Sequence, residues 1–210
     1  MTFSRRRFLG AVAAGSAGLV APRALGSAGL RAPRTFAAAR SGEQPVLLNR
    51  AMAALDTHAR HVAHRDVMGL VDFSEPSRST RLRIVDIANG RVLTNHLVAH
   101  GRGSDPGNTG WVQLFSNLPG SNASSRGTFL TGSTYYGNHG RSGRLRGLDP
   151  ENSNAESRAI VIHAADYVSP LMARDQGRVG RSQGCFAVTD HDIDEVLARL
   201  GEGRLLFAWK

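Results

Sequence analysis

Residues 81–100 constrain the fold more than any other segment, because they carry the pattern of an antiparallel β-hairpin. Residues 81–87 alternate polar and apolar side chains, as a strand does when one of its faces is buried. Asn89 and Gly90 follow, a pair that adopts the left-handed backbone angles of a tight turn. Residues 91–100 return as the partner strand, so the sequence predicts a half-buried hairpin here.

Four further segments have the composition of strands. Residues 67–73 form a short apolar run, and residues 128–136 are rich in β-branched and aromatic side chains. Residues 159–162 match a buried strand that ends at His163, and residues 204–209 match a closing strand. The sequence therefore predicts a mainly β domain.

Two helices are predicted at the periphery of this domain. Apolar residues recur at helical spacing from Pro45 to about residue 62, and proline suits the first turn of a helix. Thr189 and Asp192 have the spacing of a capping box ahead of an apolar stripe, and Gly201 ends this second helix. Two long Gly- and Ser-containing segments, 101–127 and 169–184, are predicted to be loops.

The net charge of +9 would suggest a nucleic-acid partner if the charge lay on the folded domain. Seven of the 26 basic residues, however, are arginines in residues 1–40, which contain no Asp or Glu. Residues 41–210 are left with 19 basic and 17 acidic residues, a net charge of only +2. Because this near-neutral part lacks the electrostatic footprint of phosphate binding, we expect no nucleic-acid partner.

The basic N-terminus has the pattern of an export signal. Ser4-Arg5-Arg6-Arg7-Phe8-Leu9 resembles the twin-arginine motif, which directs folded proteins across the bacterial inner membrane. The apolar stretch 10–21 is shorter than the roughly 20 residues that span a bilayer. Small-residue cleavage motifs lie at 24–26 and 37–39. We expect residues 1–40 to be a twin-arginine signal peptide and linker and the protein to be periplasmic or otherwise extracytoplasmic; an uncleaved leader that anchors it in the membrane is the alternative.

Cys185 is the only cysteine of the chain, which excludes an intramolecular disulfide. A thiolate attacks an acyl carbon well when a base is near and the backbone lets the substrate approach. Gly184 leaves the backbone beside the thiol open, so N–H groups of this loop can face a developing oxyanion. Arg181 adds positive charge, and His163, 22 residues before the cysteine, is the candidate base. Together these residues predict nucleophilic chemistry at Cys185.

The same residue types also have structural explanations. A lone cysteine is most often a small buried hydrophobe, and His163 follows an apolar run that can hold it in the core. Arg181 can be a solvated loop charge, and Ser182 is expected to donate a hydrogen bond that shapes the loop. We expect no metal site, because His100, His139 and His163 are scattered along the sequence.

Over roughly residues 66–210 the sequence resembles the L,D-transpeptidase catalytic-domain family, and more specifically its divergent murein L,D-transpeptidase branch. That family pairs a histidine on one strand with a cysteine in a later Ser/Thr-His-Gly-Cys motif. The matching motifs, which occur in a shared order, are His100-Gly101-Arg102-Gly103-Ser104, Phe115-Ser116-Asn117, Gly120-Ser121, Ser124-Ser125 with Gly127, Tyr136-Gly137-Asn138-His139-Gly140, Leu145-Arg146-Gly147-Leu148, Asn154-Ala155, the run from Arg158 to His163, Tyr167, and the run from Gly180 to Cys185.

The resemblance implies the L,D-transpeptidase fold, a β-sandwich with peripheral helices. Combined with the patterns above, it predicts an N-terminal helix within residues 41–65 and a catalytic domain over residues 66–210, with a short helix near its C-terminus. We expect this protein to be a monomer.

The resemblance also implies the roles of individual residues. Cys185 would be the nucleophile, His163 the base, and the backbone carbonyl of Ala164 the group that orients the imidazole. Gly184 would belong to the oxyanion loop. Substrate contacts are expected from the side chains of Arg181, Ser182, Gln183, Tyr136 and His139.

Two positions depart from the family pattern. Gln183 replaces the motif histidine, and Ala187 stands where the main branch has an arginine two residues after the cysteine. The first change costs little if His163 is the base. The second leaves the contact to a substrate carboxylate unassigned, with Arg181 as a candidate.

The implied reaction is acyl transfer between peptidoglycan stem peptides. The thiolate would attack the carbonyl that joins a dibasic third residue to a terminal D-alanine, which leaves a thioester on Cys185. An amine of a second stem would then give a cross-link, a protein lysine would be acylated, and water would make the enzyme an L,D-carboxypeptidase. A thiol–imidazole pair needs no cofactor.

Two other protein classes are considered. A cysteine peptidase or amidase of the papain type places its cysteine before its histidine within a local signature, whereas here His163 precedes Cys185 and that signature is absent. A non-catalytic domain that binds the cell wall would keep the fold but leave Cys185 inert to thiol reagents.

Overall fold

The structure is a computed structural model that describes residues 44–210; the predicted leader, residues 1–40, lies outside them. The helices are α1 Gln44–Thr57, α2 Pro170–Gln176 and α3 Ile193–Arg199. The strands are β1 Val67–Asp72, β2 Leu82–Asp86, β3 Val92–His96, β4 Gly127–Gly137, β5 Gly140–Gly147, β6 Val161–Ala164, β7 Phe186–Val188 and β8 Leu205–Trp209.

The described strands form one hydrogen-bonded sheet in the order β3-β2-β1-β8-β4-β5-β6-β7. The pairs β1/β8 and β6/β7 are parallel, and the other neighbouring pairs are antiparallel. This architecture, a β-sheet with peripheral helices, confirms the predicted fold class. Residues 44–210 contain three α-helices where the sequence predicts two.

The two edges of the sheet are joined along a seam, which we define as residues 99–101 together with residues 182–187. Residues 99–101 follow β3, at one edge, and run beside the residues that lead into β7, at the other edge. Ala99 N–H donates to the carbonyl of Ala187 at 2.8 Å, and Ser182 N–H donates to the carbonyl of His100 at 2.9 Å. The sheet therefore wraps around an inner core and presents its other face outward.

Aromatic rings from distant parts of the sheet meet in the inner core. Phe186 on β7 stacks on Phe73 with ring centroids 6.2 Å apart and meets Phe129 edge-to-face at 5.3 Å. The helix α3 adds buried apolar side chains to this core. The helix α1 packs on the outer face of the sheet, where fully buried Ala51 and Leu55 belong to a second apolar cluster.

The predicted hairpin is present as β2 and β3, but its polar face is buried. Both Arg81 and Arg83 are buried, because carbonyl and carboxylate groups of neighbouring segments receive their guanidinium groups. The expectation of a half-buried strand is therefore wrong. In the turn, Gly90 has a left-handed backbone, with φ of 70°. The partner strand ends at His96, since residues 97–100 leave the hairpin for the seam.

The helices differ from their predicted bounds for local reasons. The helix α1 ends at Thr57, earlier than predicted, and the chain turns so that the His58 ring bonds the carboxylate of Asp149 at 2.7 Å. The segment 169–184, predicted to be a loop, contains α2, whose N-cap is the Ser169 side chain. The strands β5 and β7 are also absent from the sequence-based prediction.

The turn before β6 ends at a residue with a left-handed backbone. Ala159 has φ of 54°. Its N–H donates to Glu156 O at 3.0 Å, and the N–H of Ile160 donates to Ala155 O at 2.9 Å, which is the Schellman pattern. Glycine is usual at this position, because a Cβ there costs about 1–2 kcal/mol. Ala159 therefore holds a strained conformation directly before the strand that carries His163.

We expect the substitution Ala159→Gly to stabilise the protein by about 1 kcal/mol, because it removes the Cβ from a left-handed position. The matched variant Ala53→Gly, at an exposed position inside α1, should lose about 1 kcal/mol instead. Urea unfolding of both variants measures the two changes. Equal losses would contradict the assignment of strain to Ala159.

Candidate active site

Cys185 and His163 lie on the same outer face of the sheet. The parallel register pairs Ile162 with Phe186, and both of these side chains point into the inner core. The residues before and after them therefore point outward, which places Cys185 opposite Val161 and two residues away from His163 along the neighbouring strand. The pairing of β6 with β7 thus sets Cys185, one residue before β7, and His163 on the same face of adjacent segments.

The imidazole of His163 is held in one tautomer. Its Nδ1 lies 2.8 Å from the carbonyl oxygen of Ala164, and because a carbonyl can only accept, Nδ1 carries the proton and Nε2 is the free acceptor. The ring stacks on that of His139 at a centroid distance of 4.3 Å. Burial lowers the pKa of His163 below its ordinary value, and His139 lowers it further, whereas the bond to Ala164 acts in the opposite direction. His163 is therefore a neutral base at neutral pH.

The thiol of Cys185 is also neutral. Burial raises its pKa above the ordinary value, while the backbone N–H of Val161 and the positive charge of Arg158 act in the opposite direction. The Sγ–H donates to the carbonyl of Ala159 at 3.6 Å. A carbonyl of the left-handed turn thus accepts the hydrogen bond of the thiol. The resting pair is a neutral thiol and a neutral imidazole rather than an ion pair.

Arg158 is a site residue to which the sequence reasoning gave no role. Its guanidinium donates to Ser116 O and Ser125 Oγ at 2.8 Å and to Ala123 O at 2.5 Å, so it fixes the long loop before β4. It is also the cation whose charge acts on Cys185. The signal was present in the sequence, because Arg158 begins the motif that ends at His163.

Tyr167 is a second residue whose role the sequence did not reveal. Burial, and then the negative charge that Cys185 can carry, raise the pKa of its hydroxyl to about 12. The hydroxyl therefore stays protonated at neutral pH near the thiol. Gly180 makes room for this side chain, since a Cβ on Gly180 would lie 2.6 Å from the Cβ of Tyr167.

Gly184 and Ser182 shape the loop before the nucleophile. Gly184 has φ of 118°, and a Cβ there would lie 2.7 Å from Ala123 O. Its N–H donates to the Ser182 hydroxyl at 3.0 Å, so this N–H is occupied rather than free to meet an oxyanion. The buried Ser182 hydroxyl donates in turn to the carbonyl of Cys185 at 2.7 Å. This bond confirms the prediction that Ser182 donates a hydrogen bond that shapes the loop.

The other predicted substrate contacts are divided between two places. Tyr136 and His139 lie on the exposed β4–β5 hairpin, and His139 joins the site through its stacking on the base. Gln183 is exposed beside the nucleophile. The guanidinium of Arg181 donates to the backbone carbonyl of Asp105, so it reaches toward the seam.

A buried polar cluster lies under the seam. His100 has no exposed surface; its Nδ1 accepts from Arg81 at 2.8 Å, and its Nε2–H faces the carboxylate of Asp105 at 3.3 Å. Burial, and then the charge of Arg81, lower the pKa of His100 to about 4. His100 is therefore neutral above that pH, and its backbone carbonyl holds the N–H of Ser182.

Residues 44–210 contain no group of three or more His, Cys, Asp or Glu side chains that could hold a metal ion. Within the same residues, none of the helices has the length and apolar character of a membrane span.

A model of the L,D-transpeptidase catalytic domain family matches residues 40–209. The similar solved structures include an L,D-transpeptidase from Mycobacterium smegmatis (13% identity, TM-score 0.43), which aligns over 69% of this chain and 59% of its own. They also include residues 123–326 of an L,D-transpeptidase from Xylanimonas cellulosilytica (14% identity, TM-score 0.43), with 76% of this chain and 69% of that chain covered. The cell-shape protein Pgp2 from Campylobacter jejuni (10% identity, TM-score 0.45) aligns over 81% and 57%. No curated protein matches. Because the family model spans most of its length, the chain belongs to the L,D-transpeptidase catalytic domain family.

Proposed function

We propose that the protein is an exported, cysteine-dependent peptidoglycan L,D-transpeptidase that transfers the acyl part of a stem tetrapeptide through a thioester on Cys185. The observations that support this proposal are that β6, which carries His163, pairs with β7, which begins one residue after Cys185, and that the Nδ1 bond of His163 leaves its Nε2 free. Residues 1–40 would supply the export signal, which brings the domain to the cell wall outside the cytoplasm. The substrate comes from the family to which the chain belongs.

The first step is a proton transfer that accompanies attack. Side chains related by two residues across a strand pair have Cα atoms about 7–8 Å apart, a distance that a cysteine and a histidine can bridge. The thiol turns from Ala159 toward Nε2 of His163, which accepts its proton while Sγ attacks the carbonyl carbon before the terminal D-alanine. Both groups start neutral, so this proton transfer creates the charged pair only as the attack proceeds.

The tetrahedral intermediate carries a negative charge on its oxygen. The protonated hydroxyl of Tyr167 is the candidate donor to that oxygen, and the charge of Arg158 adds electrostatic stabilisation. His163 then passes its proton to the amine of D-alanine, the C–N bond breaks, and D-alanine leaves. A thioester between the tripeptide acyl group and Cys185 remains.

The second step restores the thiol. An amine of a second stem loses a proton to His163 and attacks the thioester, which forms the new amide and releases Sγ. The sulfur then takes the proton from His163, and the thiol and the neutral imidazole are restored. A protein lysine would follow the same course, whereas water would release a tripeptide and make the enzyme an L,D-carboxypeptidase. Muropeptide analysis of cells with and without the gene distinguishes these acceptors.

Incubation of the protein with a tetrapeptide stem should add one tripeptide acyl group to Cys185 and release D-alanine. A carbapenem should likewise form one adduct. Intact-mass measurement followed by peptide mapping detects both, and Cys185→Ala should stay unmodified. If a folded wild-type protein is labelled by neither reagent, the mechanism fails and a non-catalytic wall-binding role is favoured.

Replacement of His163 by alanine should slow acylation by about 100- to 10,000-fold at neutral pH, because the thiol then loses its base. The loss should shrink at alkaline pH above the raised pKa of Cys185, where the thiol ionises unaided. In the wild-type enzyme, kcat/KM should fall with decreasing pH only below 6.5, because the pKa of His163 is lowered. Acylation rates across pH measure this, and a loss of the same size at every pH would exclude His163 as the base.

Removal of the Tyr167 hydroxyl in Tyr167→Phe should lower the acylation rate by about 100-fold, as is typical for one oxyanion donor. Alkylation of Cys185 by iodoacetamide develops no oxyanion, so its rate should not change. The comparison of the two rates is the measurement. A variant slowed equally in both reactions would show that Tyr167 acts on the thiol itself.

A further inference from the structure

A groove with a volume of about 710 Å³ lies on the outer face of the sheet, across β4, β5 and the start of β6. Its wall includes Ala159 and Val161, the two residues whose backbone groups contact the thiol of Cys185. The groove therefore begins beside the nucleophile. Its volume falls within the range of about 300–1,000 Å³ that is usual for ligand sites. We call it the β5 groove.

Two arginines of one strand line the β5 groove. Arg144 and Arg146 are two residues apart on β5, so their side chains leave the same face about 7 Å from each other. Both are exposed, and within residues 44–210 neither forms an ion pair with a carboxylate. Glu156 and Glu202 also line the groove, so the positive charges of the two arginines are matched in number by two negative charges elsewhere in its wall. The β5 side is locally positive.

The backbone around Arg144 is adapted to hold this side chain. The register of β4 against β5 shifts between Thr131 and Thr134, so that Gly132 and Ser133 together oppose Arg144, which is a β-bulge. A Cβ on Gly132 would lie 3.2 Å from the Cβ of Arg144. On its other side, the guanidinium lies 4.4 Å from the centroid of the Tyr135 ring. The bulge and the ring together fix Arg144 at the groove.

We propose that the β5 groove binds the acyl part of the donor stem peptide, and that Arg144 and Arg146 bind the free carboxylates of that peptide. This inference rests on the proposed function. It supplies a carboxylate contact that Ala187 cannot provide. Arg181 serves this purpose poorly, because its guanidinium is bonded to the backbone carbonyl of Asp105. The acyl part stays covalently attached through the thioester stage, so a groove that starts at the thiol can hold it throughout.

The test compares acylation of Arg144→Gln, Arg146→Gln and a control, Arg141→Gln, by a tetrapeptide stem and by the same stem with its free carboxylates amidated. Arg141 is on the same strand but pairs with Asp194 outside the groove. Each groove variant should lower kcat/KM for the unmodified stem by about 10- to 100-fold, mainly through KM. The amidated stem should react slowly and equally with the wild type and all variants. Alkylation of Cys185 by iodoacetamide, a neutral reagent, should proceed at the wild-type rate.

Unchanged acylation by the unmodified stem would overturn the inference, and so would an equal loss with the amidated stem. A defect confined to the second step would also overturn it, because the groove would then serve the acceptor. Absence of acylation in the wild-type enzyme is a different result, which refutes the proposed function instead.

Discussion

The seam between residues 99–101 and 182–187 is the constraint on which the rest of the structure depends. Edge strands leave rows of unpaired N–H and C=O groups, and here the hydrogen bonds of the seam satisfy some of them at both edges at once. The sheet thereby gains an inner face that holds the core and an outer face that holds the site. Because Cys185 lies within the seam, the bonds that close the sheet also position this predicted nucleophile, and the buried partners of His100 support them from beneath.

Local patterns predicted the parts of the fold that depend on local physics. The hairpin of β2 and β3 was predictable, because both the alternation of polar and apolar side chains and the Asn89-Gly90 turn are properties of neighbouring residues. The burial of Arg81 was not predictable in the same way, because its acceptors come from Glu75 and Val98 in other segments. The helix α2 was missed for a different reason: the cap at Ser169 and the proline after it are sound helix signals, but the glycines and arginines that follow obscured them.

The residues of the candidate site can be divided in the same way, into those that the sequence reveals and those that depend on tertiary packing. The histidine and the cysteine were recognisable from residue type, order and resemblance, all of which are properties of the sequence. The proximity of Arg158 and Tyr167 to Cys185 is produced by the pairing of β6 with β7 and by the packing of Gly180, which a single sequence does not reveal. Arg144 belongs to the same class, since a bulge in a neighbouring strand directs it to the groove.

The burial of the Cys185 thiol also bears on the chemical durability of the protein. Peroxides and disulfides react with thiolates, and a thiol whose pKa is raised holds little thiolate at neutral pH. The raised pKa therefore disfavours conversion of Cys185 to a sulfenic acid. This matters because the chain has no second cysteine to resolve such a lesion. Burial of this thiol thus keeps the only sulfhydryl of the chain in its less reactive, protonated form.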